Sequence, residues 1–383
     1  MTAEPDGCPP DPEVVARLAL AHLPGLGPAR GRWLLSGGGG AADVVARLAA
    51  GRLPEGIDPP PPGAARLLQQ WRQELVDLDP VERWRAHRHA GLDLLTPSHP
   101  AWPFTDDPDP PLLLWAQGRL ELLGRDRPAV ALVGCRRCSS VGARVAHRLG
   151  RELAAAGVVV VSGLAAGIDA AAHRGALDGG DDVMAVVGTG ADVVYPSSSA
   201  GLWGEVAGRG LLVGEAPLGV RGQRWRFPAR NRLMAALSRL VVVVESHASG
   251  GALHTVAEAE RRSRTVLAVP GSVLNPAAAG TNRLLFDGAG VARDALDVLG
   301  ALDLEAVPAG PASSLAIGMD AGVTEDPLSA EVLRQAAAGP VPLDGLLPGR
   351  PLAQVVTVVQ RLLAAGLIEV RGGVVAMSRP WAQ

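Results

Sequence analysis

The chain has 383 residues, 48% hydrophobic and 20% charged, a balance that belongs to a folded globular protein and excludes a disordered one. Its formal net charge of −3 supplies no global cationic field, so any nucleic-acid binding must rest on a local patch. The opening MTAEPDGCPPDPE lacks the basic start and apolar run of a signal peptide, and no apolar run reaches about 18 residues. The expectation is a cytoplasmic protein with no membrane span. There is no lysine, which the Ala- and Gly-rich composition makes a matter of codon bias rather than function. Cys8, Cys135 and Cys138 form neither a zinc pattern nor a secreted disulfide scaffold, so no metal or cofactor is expected. At this length two or three domains are expected.

Residues 12–54 are helical in pattern, with VVARLALAHL and PARGRWLL joined by Pro24-Gly25-Leu26-Gly27 and ADVVARLAAG following. That turn reads either as a plain helical hairpin or as a helix-hairpin-helix offering backbone N–H groups to a phosphate. Pro59 to Pro62 punctuate this part, and we assign residues 1–85 to an N-terminal helical domain of SAM-like or helix-hairpin-helix type. From about residue 90, short apolar runs follow at 92–95, 111–116, 129–134, 158–163, 183–188, 210–215, 240–245 and 265–271. Helical segments separate most of them: GARVAHRLGRELAAAG, DAAAHRGALDGG, SAGLWGEVAGRG, RNRLMAALS and HTVAEAERRS. Val-rich runs alternating with helices predict an α/β fold, a Rossmann-like doubly wound parallel sheet over 86–305. Residues 306–326 read as an Ala/Gly/Pro-rich linker. Over 327–383, three helical segments precede a hairpin turned at Gly372-Gly373, a winged-helix pattern. Its arginines Arg350, Arg361 and Arg371 suit duplex contact, but its third helix carries one cation only, so protein contact stands equally open.

Ligands of open parallel sheets collect beyond the carboxyl ends of the strands. Those ends carry Gly134-Cys135-Arg136-Arg137, then Ser162-Gly163 running to Gly167-Ile168-Asp169, then Gly188-Thr189-Gly190. Further along come Gly214-Glu215, Glu245 with Ser249-Gly250-Gly251, and Pro270-Gly271-Ser272. Glycines let backbone amides approach an anion, and each following helix adds N–H donors. The segment RGQRWRFPARNRLMAALSRL holds Arg221, Arg224, Arg226, Arg230, Arg232 and Arg239 with no acidic residue between Ala216 and Val244. Trp225 and Phe227 interleave with these cations, the composition of a surface that grips several phosphates and stacks bases. Catalytic chemistry is harder to find. Asp169 and His173 stand four apart on one helix, where Asp169 reads as a cap and loop organiser. Ser162 has no evident relay, and Glu215 and Glu245 are the best acid/base candidates, with pairing to arginine an equal reading.

Taken in order, LPGLGP, VGCRRCSSVG, SGLAAGIDAAAHRGAL, AVVGTGADVVYP, GEAPLG, RFPARNRLMAALS, SGGALHTVAEA, VLAVPGS and GTNRLL resemble the DNA-processing protein A (DprA/Smf) family. The resemblance implies a protein that is not an enzyme. It binds single-stranded DNA in a Rossmann-like pocket, protects it during natural transformation and recombination, and hands it to the RecA recombinase, as a homodimer. It implies that Arg136 matches the basic residue of the family's GSR loop, with Cys135 in the serine's place. Ser162, Gly163, Gly167, Ile168 and Asp169 match the signature loop; Phe227, Arg230, Asn231 and Arg232 match the FPxRNR segment; Asn275 and Asn282 fall in later motifs. Gly134, Arg137, Gly188, Thr189, Gly190, Ser249 and Gly250 complete the expected DNA-contacting set. Where many relatives carry basic residues, this chain has Ala166 and Ser197, with Arg137, Arg224 and Arg226 as the cations at hand to compensate. A looser likeness joins SGGALHTVAEA, with Thr255 and Glu258, to the PGGxGTxxE signature of LOG phosphoribohydrolases; an enzyme of that kind would pair Glu258 with Arg230 or Arg232. A sensor of a small nucleotide acting through the winged helix is the third reading.

Overall fold

Segments such as Val158–Val161 and Leu240–Val244 have no polar alternation, so neither face of them is suited to water and both must be covered. The computed structural model describes residues 10–53, 60–124, 126–302 and parts of 327–377. It forms two compact units, residues 1–306 and 307–383. In the first, nine strands make one sheet: β1 (Asp93–Leu95), β2 (Leu114–Gly118), β3 (Ala129–Gly134), β4 (Val159–Ser162), β5 (Val183–Val187), β6 (Leu211–Gly214), β7 (Leu240–Glu245), β8 (Thr265–Ala268) and β9 (Gly290–Val291). Their order is β1-β2-β6-β5-β4-β3-β7-β8-β9. The seven strands from β6 to β9 in that order are mutually parallel.

The first two runs depart from the parallel reading: β1 pairs antiparallel with β2, and β2 antiparallel with β6. No helix lies between them, and a parallel pairing needs a helical crossover. The remaining strands are wound by α6 (Ser140–Ala155), α7 (Ile168–Gly179), α8 (Ala200–Arg209), α9 (Arg226–Ala236), α10 (Ala252–Glu260), α11 (Ala279–Phe286) and α12 (Ala295–Ala301). Alternate strand residues split between two cores, as a period of two requires. Val130, Leu132 and Val160 pack with α6, α7 and α8, whereas Ala131, Val133 and Val161 pack with α9 and α10. Helices α6 and α7 touch through glycine: a Cβ on Gly175 would strike the His147 backbone.

Before the sheet come α1 (Pro12–His22), α2 (Pro28–Ser36), α3 (Ala41–Ala49), α4 (Ala64–Asp77) and α5 (Pro80–His89). Leu20, Trp33, Leu34, Val44, Leu48 and Trp71 give these helices an apolar cluster of their own. The Trp71 indole donates to the Pro24 carbonyl at 2.8 Å, which pins α4 onto the α1–α2 turn. In the second unit, α13 (Pro327–Ala338) accompanies β10 (Val341–Pro342), β11 (Ile368–Arg371) and β12 (Val374–Met377), an antiparallel sheet in the order β10-β12-β11. The expected hairpin is there as β11 and β12, with Arg371 opposite Val374. The linker at 306–326, the turn at 372–373 and most of the expected third helix lie outside the described residues. No helix among the described residues is long and apolar enough to cross a membrane.

Candidate nucleic-acid interface at the sheet switch point

Chain order runs outward from β3 through β6 and restarts at β7 on the other side of β3. The loops after β3 and β7 therefore diverge, and the crevice between them is the ligand position of a doubly wound sheet. A cleft of about 550 Å³ opens there. Of the expected residues, Gly134, Arg136, Arg137, Asp169, Phe227, Arg230, Asn231 and Gly250 line it. Gly163 lines a smaller adjoining pocket of about 110 Å³ together with Arg136, Phe227 and Arg230.

Others stand behind the wall. Ser162 is buried and donates its hydroxyl to the Leu132 carbonyl at 2.6 Å. Gly167, at φ +85°, lies against the Cys135 and Arg136 carbonyls where no Cβ fits, and Ile168 is buried in the core. Gly188 backs the Phe227 ring, Thr189 donates to the Val193 carbonyl at 2.7 Å, and Gly190 presses on the Pro217 carbonyl. Ser249 is exposed on the loop after β7 without lining the cleft. Asn275 accepts from the Ala277 N–H at 3.0 Å, and Asn282 pairs with both backbone groups of Gly271, at 3.1 and 3.0 Å. Arg232 turns away altogether: its guanidinium is bound to Glu215 and to the Asp109 carbonyl.

The cleft is cationic and aromatic. Arg136, Arg137 and Arg224 line it and are exposed, with no carboxylate ion pair among the described residues; Arg221 is exposed too but does not line the cleft. The Arg136 guanidinium sits 5.3 Å from the Phe227 ring centre, and Tyr195 lies 5.0 Å from Phe227 on a tilted plane. Tyr195 was not among the expected site residues. Its signal was there: an aromatic in a strand-end loop, where nothing in the sequence requires a core side chain. Deeper in, Arg230 is 5% exposed, donates to the Val186 carbonyl and passes so close over Gly163 that a Cβ there would collide with it. Burial brings its guanidinium down to about 10, against the pull of Asp169. Asp169 accepts the Gly163 N–H at 3.2 Å, and burial pushes its carboxyl up while Arg230 works to lower it.

The acid/base candidates are otherwise engaged. Glu245 accepts the Ser139 N–H at 2.8 Å and the Ser139 hydroxyl at 2.6 Å, which anchors the N-terminus of α6 and the arginine loop before it. Glu215 is partly buried against Arg232; its desolvation raises its pKa and the cation lowers it in turn. Burial and the nearby Glu245 push the Cys135 thiol up to about 11, and Cys138 is raised for the same reasons; both cysteines are free. Thr255 does line the cleft, but Glu258 is held by Arg262 at 2.6 Å and Arg261 at 3.1 Å, and Arg230 faces Asp169 instead.

Fold and cleft together define a Rossmann-like protein with a cation-lined cleft at the switch point of its sheet. The family model described as DNA recombination-mediator protein A matches residues 93–303, and the chain belongs to that family. It is 38% identical over 220 residues to the Smf protein of Synechocystis sp., covering 56% of this chain and 55% of that one. To a putative DNA processing protein DprA of Mycobacterium tuberculosis it is 44% identical over 189 residues, 49% of each chain. The chain thus spans about half the length of these relatives. Among solved structures it is similar to DNA processing protein A of Streptococcus pneumoniae (TM-score 0.59, 28% identity, 76% of this chain and 98% of that one). It is also similar to the Helicobacter pylori protein, whose structure concerns its single-stranded DNA binding mode (TM-score 0.50, 28% identity, 56% and 97%).

Proposed function

We propose that this protein binds single-stranded DNA in the cleft, shields it and helps to load RecA onto it during transformation and recombination, without itself performing chemistry. One observation carries the reading: three cleft-lining arginines with no carboxylate ion pair among the described residues, Arg136, Arg137 and Arg224, accompany the aromatic pair Phe227 and Tyr195. A mononucleotide has charge for one or two such cations; a row of them matches successive phosphodiesters, and the rings give bases a face to stack on. The binding mode addressed in the Helicobacter relative supports the same ligand class. Ala166 lines the adjoining pocket where many relatives place a cation, and Arg137 and Arg224 in the main cleft are the charges that replace it.

The test is the affinity for fluorescent oligothymidylates of increasing length, set against AMP. Affinity should climb with length and fall with salt, and Arg136→Ala should flatten the salt dependence by about 0.7 in log–log slope. Phe227→Ala should weaken binding by about 1–3 kcal/mol at unchanged slope. Tight binding of AMP with no gain from length would sink the reading, and release of free base from a nucleotide monophosphate would replace it with the phosphoribohydrolase.

The homodimer belongs to the same proposal. β9 closes the sheet as an exposed edge, and Val273, Leu274 and Phe286, in the segment between β8 and β9, are 90%, 89% and 84% exposed. Apolar side chains this open, together with a strand paired on one side only, favour a second copy of the chain. Phe286→Glu should shift the sedimentation profile to monomer while leaving thermal stability within about 0.5 kcal/mol of wild type. The elements α13 and β10–β12, whose buried Val332, Ile368 and Val375 share an apolar cluster with Val355 and Leu362, support a winged helix as an appended contact module.

A further inference from the structure

Arg230 and Arg232 stand two residues apart in the RNR segment, so about 200° of helical rotation separates them on α9. One faces the cleft; the other faces a buried line of charge. The Arg232 side chain is 4% exposed, donates to the Asp109 carbonyl at 2.7 Å and to the Glu215 carboxylate, and holds its Nε 3.7 Å from Asp109 Oδ2. The other oxygen of Asp109 is bound by Arg32 of α2 at 2.9 Å, and Arg32 also donates to the Pro108 carbonyl at 3.0 Å. The line therefore runs Arg32–Asp109–Arg232–Glu215, from the N-terminal helices through the 108–110 loop to α9 and the end of β6. Meanwhile α9 itself starts without a side-chain cap, at Trp225. No capping side chain at its start helps to fix the rotation that points Phe227, Arg230 and Asn231 into the cleft.

We infer that Arg232 is a positioning residue, not a phosphate ligand: with Glu215, Asp109 and Arg32 it sets the rotation of α9 and couples the N-terminal helices to the DNA cleft. The inference rests on the reading of the cleft as a single-strand site. Four charges are linked by direct contacts, and the middle two, Asp109 and Arg232, are 9% and 4% exposed, so a displacement of α2 is passed to α9 through an enclosed pair that water does not replace. Arg32, outside the cleft, thereby bears on what the cleft binds.

The experiment uses the full chain and a fluorescent oligothymidylate across a salt series, with hydrogen exchange of the α9 amides as a second readout. Arg232→Met should weaken binding about tenfold at unchanged salt slope and speed exchange across 226–236. The double variant Arg232→Met with Glu215→Leu, which removes both partners of the ion pair together, should recover most of the affinity and the slow exchange, since an enclosed ion pair is replaceable by apolar groups of like volume. Arg32→Ala, at the exposed end of the line, should weaken binding about threefold in the same slope-preserving way. If Arg232→Met flattens the salt slope as Arg136→Ala does, or if the double variant stays as weak as the single, Arg232 touches phosphate and the inference is overturned. Should the wild-type chain bind no oligothymidylate, the cleft reading falls, and the exchange measurements still decide whether Arg232 and Glu215 set α9. If Arg232→Met does not fold, the double variant and Arg32→Ala carry the test, and equal exchange in Arg32→Ala and wild type would overturn it.

Discussion

Arg230→Ala is expected to lower stability by about 3–5 kcal/mol and to abolish oligonucleotide binding, whereas Arg230→Ala with Asp169→Asn should regain most of the stability and none of the binding. The reason lies in burial. Arg230 is 5% exposed and Asp169 6%, so the two charges compensate each other where water does not. Removing the cation leaves a carboxylate whose pKa burial already raises, and the folded state must then either hold an unpaired charge or take up a proton. Asn at 169 keeps an oxygen for the Gly163 N–H and carries no charge to strand. Chemical denaturation and oligothymidylate titration on the three proteins check the pair of claims. A single variant as stable as wild type would show that Asp169 and Arg230 do not depend on each other; binding restored in the double variant would show that Arg230 is scaffold only.

The strand runs and the glycine-bearing edge were legible because both follow from local composition: valines without alternation bury two faces, and glycines gather where strand-end loops pack too closely for a Cβ, as Gly163 does under Arg230 and Gly167 against the Cys135 carbonyl. Helix rotation was not legible in the same way. Read as beginning at residue 230, the helix left Phe227 in a loop; it begins at 226, so Phe227 and Arg230 fall three apart on one face and Arg232 on the other. No property of the letters RNR distinguishes the arginine that lines the cleft from the one that meets Glu215 and Asp109, because the deciding partners come from residues 109 and 215, far away in the chain. The same holds for Glu245, whose role as the anchor of Ser139 depends on β7 lying beside β3. The antiparallel start of the sheet was missed because apolar content reports burial and not direction. Helices α4 and α5 were missed because their apolar positions are few: Ala64 and Trp71 are the buried residues of the first, His87 that of the second.

His173 supplies the second large effect, a loss of stability in acid. It is fully buried in α7, and desolvation brings its imidazole down to about 3; the Met184 carbonyl opposes the shift and the adjacent Arg230 cation adds to it. Unfolded, the same ring takes a proton near pH 6.5. Between those values the unfolded chain binds the extra proton, so stability rises with pH through the window and falls as pH drops below about 6.5. The full effect at pH 3 is on the order of 4–5 kcal/mol, an appreciable part of what holds a domain together. Asp169 acts in the opposite sense: its raised pKa makes the folded state the better proton acceptor, which favours folding as pH falls. His22 and His87, both lowered by burial between α1, α5 and the Leu218 amide, add to the loss. The contribution of His173 is therefore read as a difference. His173→Leu should unfold in denaturant with a midpoint that declines less steeply from pH 6.5 to pH 4 than the wild-type midpoint, the two curves converging or crossing toward acid. Parallel curves across that range would mean that the ring takes up its proton without unfolding, and that α7 leaves it room to do so beside Arg230.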